Sequence, residues 1–363
     1  MVDVTVDRDT AKPEQSRARE LIVEASTAGG PVALAYHADA DGISSAALVW
    51  AAVEHLGGEA VALTPPKGKN VYDRAFRALL ERASSRLLTL LDTGSRAGVS
   101  WRQQPTIIVD HHVTSSRPDV AAFVHDHDAV STSILVYELL EPIAPSRERS
   151  WLAAVGALGD RGAQARRVPV VSTMVARFGS ATLGSVVALV NASGRAATPA
   201  PEVALAALRE ARHPREISRG ASAAADHLRQ MRAEVAASSK RALRVAPRVR
   251  GRWAIIEIEE GCRVHGVVAS AWARRLAPRI VFVANRGYVE GRVHISVRSH
   301  EDIDLRAALR GLLPDESGDY AAGHARATGA IIDFATYERL LRAIDEESSP
   351  RAVTTGPAYP PTR

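Results

Sequence analysis

Short apolar runs alternate with alanine-rich stretches from Val32 onward, and this alternation constrains the fold more than any other feature of the chain. Val32 to His37, Glu59 to Thr64, Arg86 to Asp92 and Thr106 to Asp110 read as strands, while Gly42 to Leu56 and Tyr72 to Arg82 read as helices. Strands joined by helical crossovers pair in parallel, so the pattern predicts an α/β fold built on a parallel sheet. In such a sheet ligands collect beyond the carboxyl ends of the strands, where loops converge and helix N-termini add positive potential. The apolar segments here end in chemistry: His37-Ala38-Asp39-Ala40-Asp41-Gly42, Asp92 before Thr93-Gly94-Ser95, Asp110-His111-His112, and Asp160 in Gly159-Asp160-Arg161-Gly162.

The rest of the chain suggests how this sheet is completed. Ser131 to Leu140 and Arg149 to Leu158 look helical, with Ser131 or Thr132 placed to cap the first by accepting an amide hydrogen bond. Alanine, arginine and leucine dominate from Val170 to Leu243, a helical region broken near Gly179, Gly194, Pro199-Pro201 and Pro214. Strand-like runs return at Trp253 to Ile258, Ile280 to Ala284 and Val293 to Val297, with helices around Val264 to Leu276 and Leu305 to Leu312. The expected organisation is a catalytic domain over 19–200, a helical linker over 201–247 and a smaller α/β domain over 248–345, with disordered ends at 1–18 and 346–363.

Composition excludes several classes of chemistry. Cys262 is the only cysteine, which rules out an intramolecular disulfide, a paired-thiol redox motif and a thiolate-based zinc cluster. The first nine residues lack the basic start and apolar core of a signal peptide, and no uncharged apolar run has the length of a bilayer span, so a cytoplasmic location with no membrane partner is the expectation. The net charge of +5 rests on arginine, since Lys12, Lys67, Lys69 and Lys240 are the only lysines. Guanidinium forks suit phosphate oxygens, although genome composition alone also produces such a bias.

On an extended segment residues two apart share a side, so His37, Asp39 and Asp41 can face one ligand while Ala38 and Ala40 face away. Taken singly, this stretch and Asp92 also fit helix-entry turns with capping aspartates, and His111 and His112 fit a structural pair. Taken together, carboxylates and imidazoles without thiolate suit Mn2+ or a similar borderline-hard ion, Mg2+ included. More than four candidate ligands suit two ions better than one. Paired ions of this kind serve phosphoester hydrolysis, whereas the absence of an HExxH helix argues against a single-zinc hydrolase.

The ordered set His-x-Asp-x-Asp-Gly, Asp-Thr-Gly, Asp-His-His and Gly-Asp resembles the DHH phosphoesterase superfamily, and in particular its RecJ-like and oligoribonuclease-like members. Ile295-Ser296-Val297-Arg298-Ser299 and Ala322-Gly323-His324-Ala325-Arg326-Ala327-Thr328-Gly329 resemble two motifs of the C-terminal DHH-associated domain, and Asn191-Ala192-Ser193-Gly194-Arg195 resembles a linker motif. The resemblance implies that Asp39 binds one metal, that Asp41, His111 and Asp160 bind a second, and that Asp92 bridges both. It further implies that His112 meets the scissile phosphate with Asp110 orienting a histidine, and that Arg298, Ser299, Gly323 and His324, with Arg195, bind substrate. Two departures stand out. Many relatives carry a metal-binding histidine where this chain has Ala35, with His37 instead two residues before Asp39, and the glycine-rich stretch before His324 is reduced to Ala321-Ala322-Gly323.

The implied activity is a metal-dependent exonuclease or oligonucleotidase acting on single-stranded DNA, RNA or short oligonucleotides. A phosphatase or phosphodiesterase for small nucleotides, such as 3′-phosphoadenosine 5′-phosphate or a cyclic dinucleotide, and a non-catalytic replication or repair scaffold remain open as alternatives. A homodimer and replication or repair proteins are left open as partners. His125-Asp126-His127-Asp128 matches no ligand motif and reads as a solvated loop or supporting layer, and the arginines from Arg209 to Arg244 read as solvated helix faces.

Overall fold

The computed structural model describes residues 8–96, 99–101, 103–114, 116–145, 147–220, 222–316, 320–324 and 327–348. Its contacts divide the chain into two units, Met1–Ala237 and Ser238–Arg363. In the first unit α1 (Arg8–Thr27) precedes β1 (Pro31–Tyr36), α2 (Ala40–His55), β2 (Glu59–Leu63), α3 (Arg74–Arg82), β3 (Leu87–Leu91), β4 (Thr106–Asp110) and β5 (Ala122–His125). Helices α4 (Thr132–Leu140), α5 (Ser150–Arg161), α6 (Pro169–Phe178), α7 (Ser180–Ser193), α8 (Pro201–Glu210) and α9 (Pro214–Arg219) follow, and α10 (Ala223–Ala242) runs across the division.

The five strands pair in parallel in the order β2-β1-β3-β4-β5. Both faces are covered, which is why every residue of β3, β4 and β5 is buried. Ala33, Ala35, Leu88, Leu90, Ile108 and Phe123 pack on one side with Phe76 and Leu80 of α3. The register sets Tyr36 beside Leu91, Leu91 beside Val109, and Asp110 beside His125. The residues that follow β1 and β3 therefore emerge side by side. The chain leaves β1 toward β2 on one side and toward β3 on the other, a reversal that opens a crevice at their carboxyl ends.

Residues 8–18, expected to be disordered, instead form the first part of α1. Ala18, Leu21, Ile22 and Ala25 recur at helical spacing and are buried, and Glu14 accepts the Phe123 amide on the edge strand β5 at 2.8 Å. That burial outweighs the polar character of the segment. Residues 346–348, placed in the tail by sequence, complete a final helix, while 1–7 and 349–363 lie outside the described residues. Strand β5 is another element absent from the sequence reading. Its four residues are too few to show a period, and pairing to β4 defines it. Helices α8 and α9, read as linker, fall within the first unit.

The second unit contains β6 (Arg248–Arg250), β7 (Trp253–Ile258), α11 (His265–Arg275), β8 (Ile280–Asn285), β9 (Val293–Arg298), α12 (Leu305–Leu312), β10 (Ala322–His324), β11 (Ala327–Ile332) and α13 (Phe334–Ser348). Its sheet runs β10-β11-β9-β8-β7-β6, with β7 and β8 parallel around the α11 crossover and the other pairs antiparallel. Val293, Ile295 and Val297 of β9 join Leu305, Leu309, Tyr337 and Leu340 in a core, so alternation turns His294, Ser296 and Arg298 to the opposite face. Among the described residues no single helix is long and apolar enough to cross a membrane.

Candidate metal centre

The first motif is shaped by Asp39, whose Oδ1 accepts the Asp41 and Gly42 amides at 3.1 Å each and so caps α2. Gly42 is required by this fold-back, since a Cβ there would lie 2.3 Å from the His37 carbonyl oxygen. The capping function of an ordinary turn is thus real, and it directs the other oxygen, Asp39 Oδ2, toward His37 Nδ1 at 2.9 Å. His37 Nδ1 also lies 3.6 Å from Asp92 Oδ2. The charge of Asp39 pushes His37 up to about 10 despite its burial.

Asp92 follows β3 with φ of 60°, a left-handed conformation that aspartate tolerates better than most side chains. Its amide donates to Val109 at 3.1 Å, which ties the bend to β4. From that position its other oxygen, Oδ1, comes within 3.6 Å of His111 Nε2 and 3.7 Å of His112 Nδ1. His111 Nε2 is also 3.9 Å from Asp41 Oδ2 and 3.8 Å from Asp160 Oδ2. The structure therefore brings together all six residues expected as ligands, which form two groups meeting at Asp92.

Asp160 arrives from the last turn of α5, held there by close helix packing. A Cβ on Gly159 would lie 2.5 Å from Ala40 Cβ, and one on Gly156 would lie 2.2 Å from Ser133 Oγ and 2.8 Å from Asp41 Oδ1. Asp160 is partly exposed and pairs with Arg161 at 3.0 Å.

Asp110, fully buried, is spent on support. Its Oδ1 accepts both the His112 amide at 2.6 Å and His112 Nδ1 at 2.8 Å, while Oδ2 accepts the Gly94 amide. One carboxylate thus ties the Asp92 bend to the His112 ring. Burial lowers the proton affinity of His112, but the Asp110 hydrogen bond and charge outweigh it and raise the imidazole to about 9. In the metal-free site this favours the protonated ring at neutral pH.

The donor set suits a divalent cation. His37, Asp39 and Asp92 form one group of candidate ligands and Asp92, His111 and His112 another, each with atoms within 4.8 Å of one another. Ligands bonded to one ion at roughly 2.1 Å stand roughly 3.0–3.4 Å apart, so separations of 3.6–3.9 Å need only a small contraction. Burial, and then repulsion from Asp92, holds Asp41 well above the ordinary carboxylate range. Burial likewise raises Asp92, with Asp39 adding repulsion. Converging buried carboxylates of this kind are stabilised by a cation.

Residues 31–158 match the family model described as the DHH family, N-terminal domain. That segment, within the first unit, is similar to the N-terminal domain of the DHH family. No curated protein sequence matches the chain. Among solved structures, exonuclease RecJ bound to manganese is 21% identical, with a TM-score of 0.69 over 96% of this chain and 96% of that one. RecJ from Thermus thermophilus in complex with Mn2+ is 20% identical at a TM-score of 0.69, over 95% of this chain and 56% of that one. CDC45 from Entamoeba histolytica is 9% identical at 0.55, over 93% and 98%. The chain shares its fold with these RecJ structures.

Several residues that build the site have no ligand signature in the sequence. Asn191 Oδ1 accepts the Ala40 amide at 2.9 Å, and a Cβ on Gly194 would lie 1.9 Å from the Ala38 carbonyl oxygen. The motif around Asn191 is thus a brace for the first metal-binding turn, with half-buried Arg195 the next residue along. His125 Nε2 lies 2.7 Å from the His112 carbonyl oxygen, which favours the supporting layer over the solvated loop for this histidine. Both contacts bridge distant parts of the sequence.

In the second unit Arg298 is half-buried and donates to the Val297 and Thr328 carbonyls at 2.8 and 3.2 Å. A Cβ on Gly266, in the first turn of α11, would lie 3.7 Å from Ser296 Oγ and 3.9 Å from an Arg298 nitrogen. Ser296 thus joins Arg298 beside the helix N-terminus, an arrangement suited to an anion. Ser299, the serine expected there, accepts the Glu301 amide at 3.1 Å in the following turn. Strand alternation was the available signal for Ser296. Gly323 and His324 belong to β10, with side chains outside those described.

Proposed function

We propose that the chain is a divalent-metal phosphodiesterase of the RecJ kind, removing nucleotides from the ends of single-stranded DNA, RNA or short oligonucleotides. The observation that carries this reading is Asp92, whose two oxygens face separate groups of ligands. His37, Asp39 and Asp92 would hold one ion, and Asp41, Asp92, His111 and Asp160 a second, with Mn2+ preferred and Mg2+ the alternative. Such ions, when bound, neutralise phosphoryl oxygens and make water acidic enough to attack phosphorus at neutral pH.

The protein's own groups supply orientation and charge. His112, protonated and held by Asp110, can donate a hydrogen bond to an anionic phosphoryl oxygen. Asp110 keeps that ring in one orientation and carries no proton to substrate, because both its oxygens already accept hydrogen bonds. Within the second unit, Arg298 and Ser296 offer a phosphate-binding position of their own.

Purified protein with Mn2+ should shorten end-labelled oligonucleotides into a ladder, with 5′- and 3′-labelled DNA and RNA of several lengths revealing polarity and sugar preference. Intact oligonucleotides alongside hydrolysis of 3′-phosphoadenosine 5′-phosphate or a cyclic dinucleotide would replace this reading with the small-nucleotide one. Inertness toward every substrate would remove the catalytic reading.

A further inference from the structure

We propose that the N-terminus of α4 is the clamp that sets Asp41 and Asp92 in their relative positions, with Thr132 as its positioning residue. The inference rests on the divalent-ion reading above. Asp41 belongs to the first turn of α2 and Asp92 to the end of β3, so neither element alone determines the separation of the two carboxylates. Thr132 is hydrogen-bonded to both. Its amide donates to Asp41 Oδ2 at 2.8 Å, and its hydroxyl donates to Asp92 Oδ1 at 2.9 Å. The Ser133 amide completes the grip on Asp41 by donating to Oδ1 at 2.9 Å.

An ordinary helix cap does not account for this arrangement. Ser131 already serves as the cap, its hydroxyl accepting the Ile134 amide at 3.4 Å. The Thr132 and Ser133 amides are two of the donors that an α-helix leaves unpaired at its start, and a carboxylate some ninety residues earlier in the chain takes both. The Thr132 hydroxyl, which a capping role would direct to backbone, goes to the carboxylate shared by the two ligand groups. Ser131, Thr132 and Ser133 are all fully buried, so water does not substitute for these bonds. Gly156 of α5 lets Ser133 and Asp41 sit together where a Cβ would collide with both. Two buried carboxylates repel each other, and donors that neutralise part of that charge while fixing its direction keep the oxygens ready for a cation.

The test is Mn2+ binding by the full-length protein, followed by electron paramagnetic resonance or calorimetry without substrate. Thr132→Val keeps the shape and removes the hydroxyl, and should weaken Mn2+ binding by about 10- to 100-fold. Thr132→Ser should bind close to wild type. Thr106→Val, which removes a buried hydroxyl bonded to the Gln104 carbonyl at 3.1 Å at the start of β4, should leave Mn2+ affinity unchanged even where it lowers the melting temperature. If valine prevents folding, Thr132→Ala carries the same comparison. Wild-type affinity in the hydroxyl-free variant, or equal weakness in Thr132→Ser, would overturn the clamp alone. Failure of the wild-type chain to bind Mn2+ would overturn the metal reading as well.

Discussion

His112 illustrates how a single contact converts a residue of ambiguous type into one with a defined charge. Its ring is raised to about 9 against roughly 6.5 in an unfolded chain. A folded-state value above the unfolded one adds stability that is fully present below about pH 6.5 and is lost as pH rises through about 9. In metal-free protein, the stability advantage of wild type over His112→Asn in urea unfolding should therefore shrink between pH 6.5 and pH 10; a constant advantage would contradict the Asp110–His112 pairing. Asp160, by contrast, acts through position. Asp160→Ala should reduce oligonucleotide cleavage to background, and wild-type rates in that variant would remove it from the site. At this scale Asp39, Asp41, Asp92, His111 and Asp160 were legible because their order along the chain is itself a signature. His125 was legible only as part of a solvated loop or supporting layer and Asn191 only through a linker motif, since the backbone partner of each is placed beside it by folding.

Among the elements, the glycines of α5 show local preference and packing in conflict. Replacing a helical glycine by alanine ordinarily stabilises by about 0.8–1 kcal/mol. At Gly156 the added methyl would meet Ser133 and Asp41, and forced packing of this kind costs about 1–3 kcal/mol. Gly156→Ala should therefore give net destabilisation in urea unfolding, together with weaker Mn2+ binding; a stabilised variant would show that α4 and α5 have room to part. The long alternating elements were readable because periodicity accumulates over many residues. Strand β5 and the polar start of α1 were not, since four residues carry too little pattern and the burial that anchors α1 begins only at Ala18.

In the whole molecule all six candidate ligands lie in the first unit. Mn2+ should therefore stabilise that unit selectively, by about 2.7 kcal/mol when the free ion is at a hundredfold its dissociation constant. Thermal melts with and without Mn2+ should show the shift, EDTA should reverse it, and Asp92→Asn should abolish it; an unchanged wild-type melt would count against the centre. What the sequence determined by itself was the alternation of strands and helices and the placement of acidic and histidine residues where strands end, because both depend on residues near one another in the chain. Only the tertiary structure decided that Ser296 accompanies Arg298 and that the start of α4 receives Asp41. Those outcomes depend on strand order, side-chain direction and helix packing, which bring together groups that local sequence pattern leaves independent.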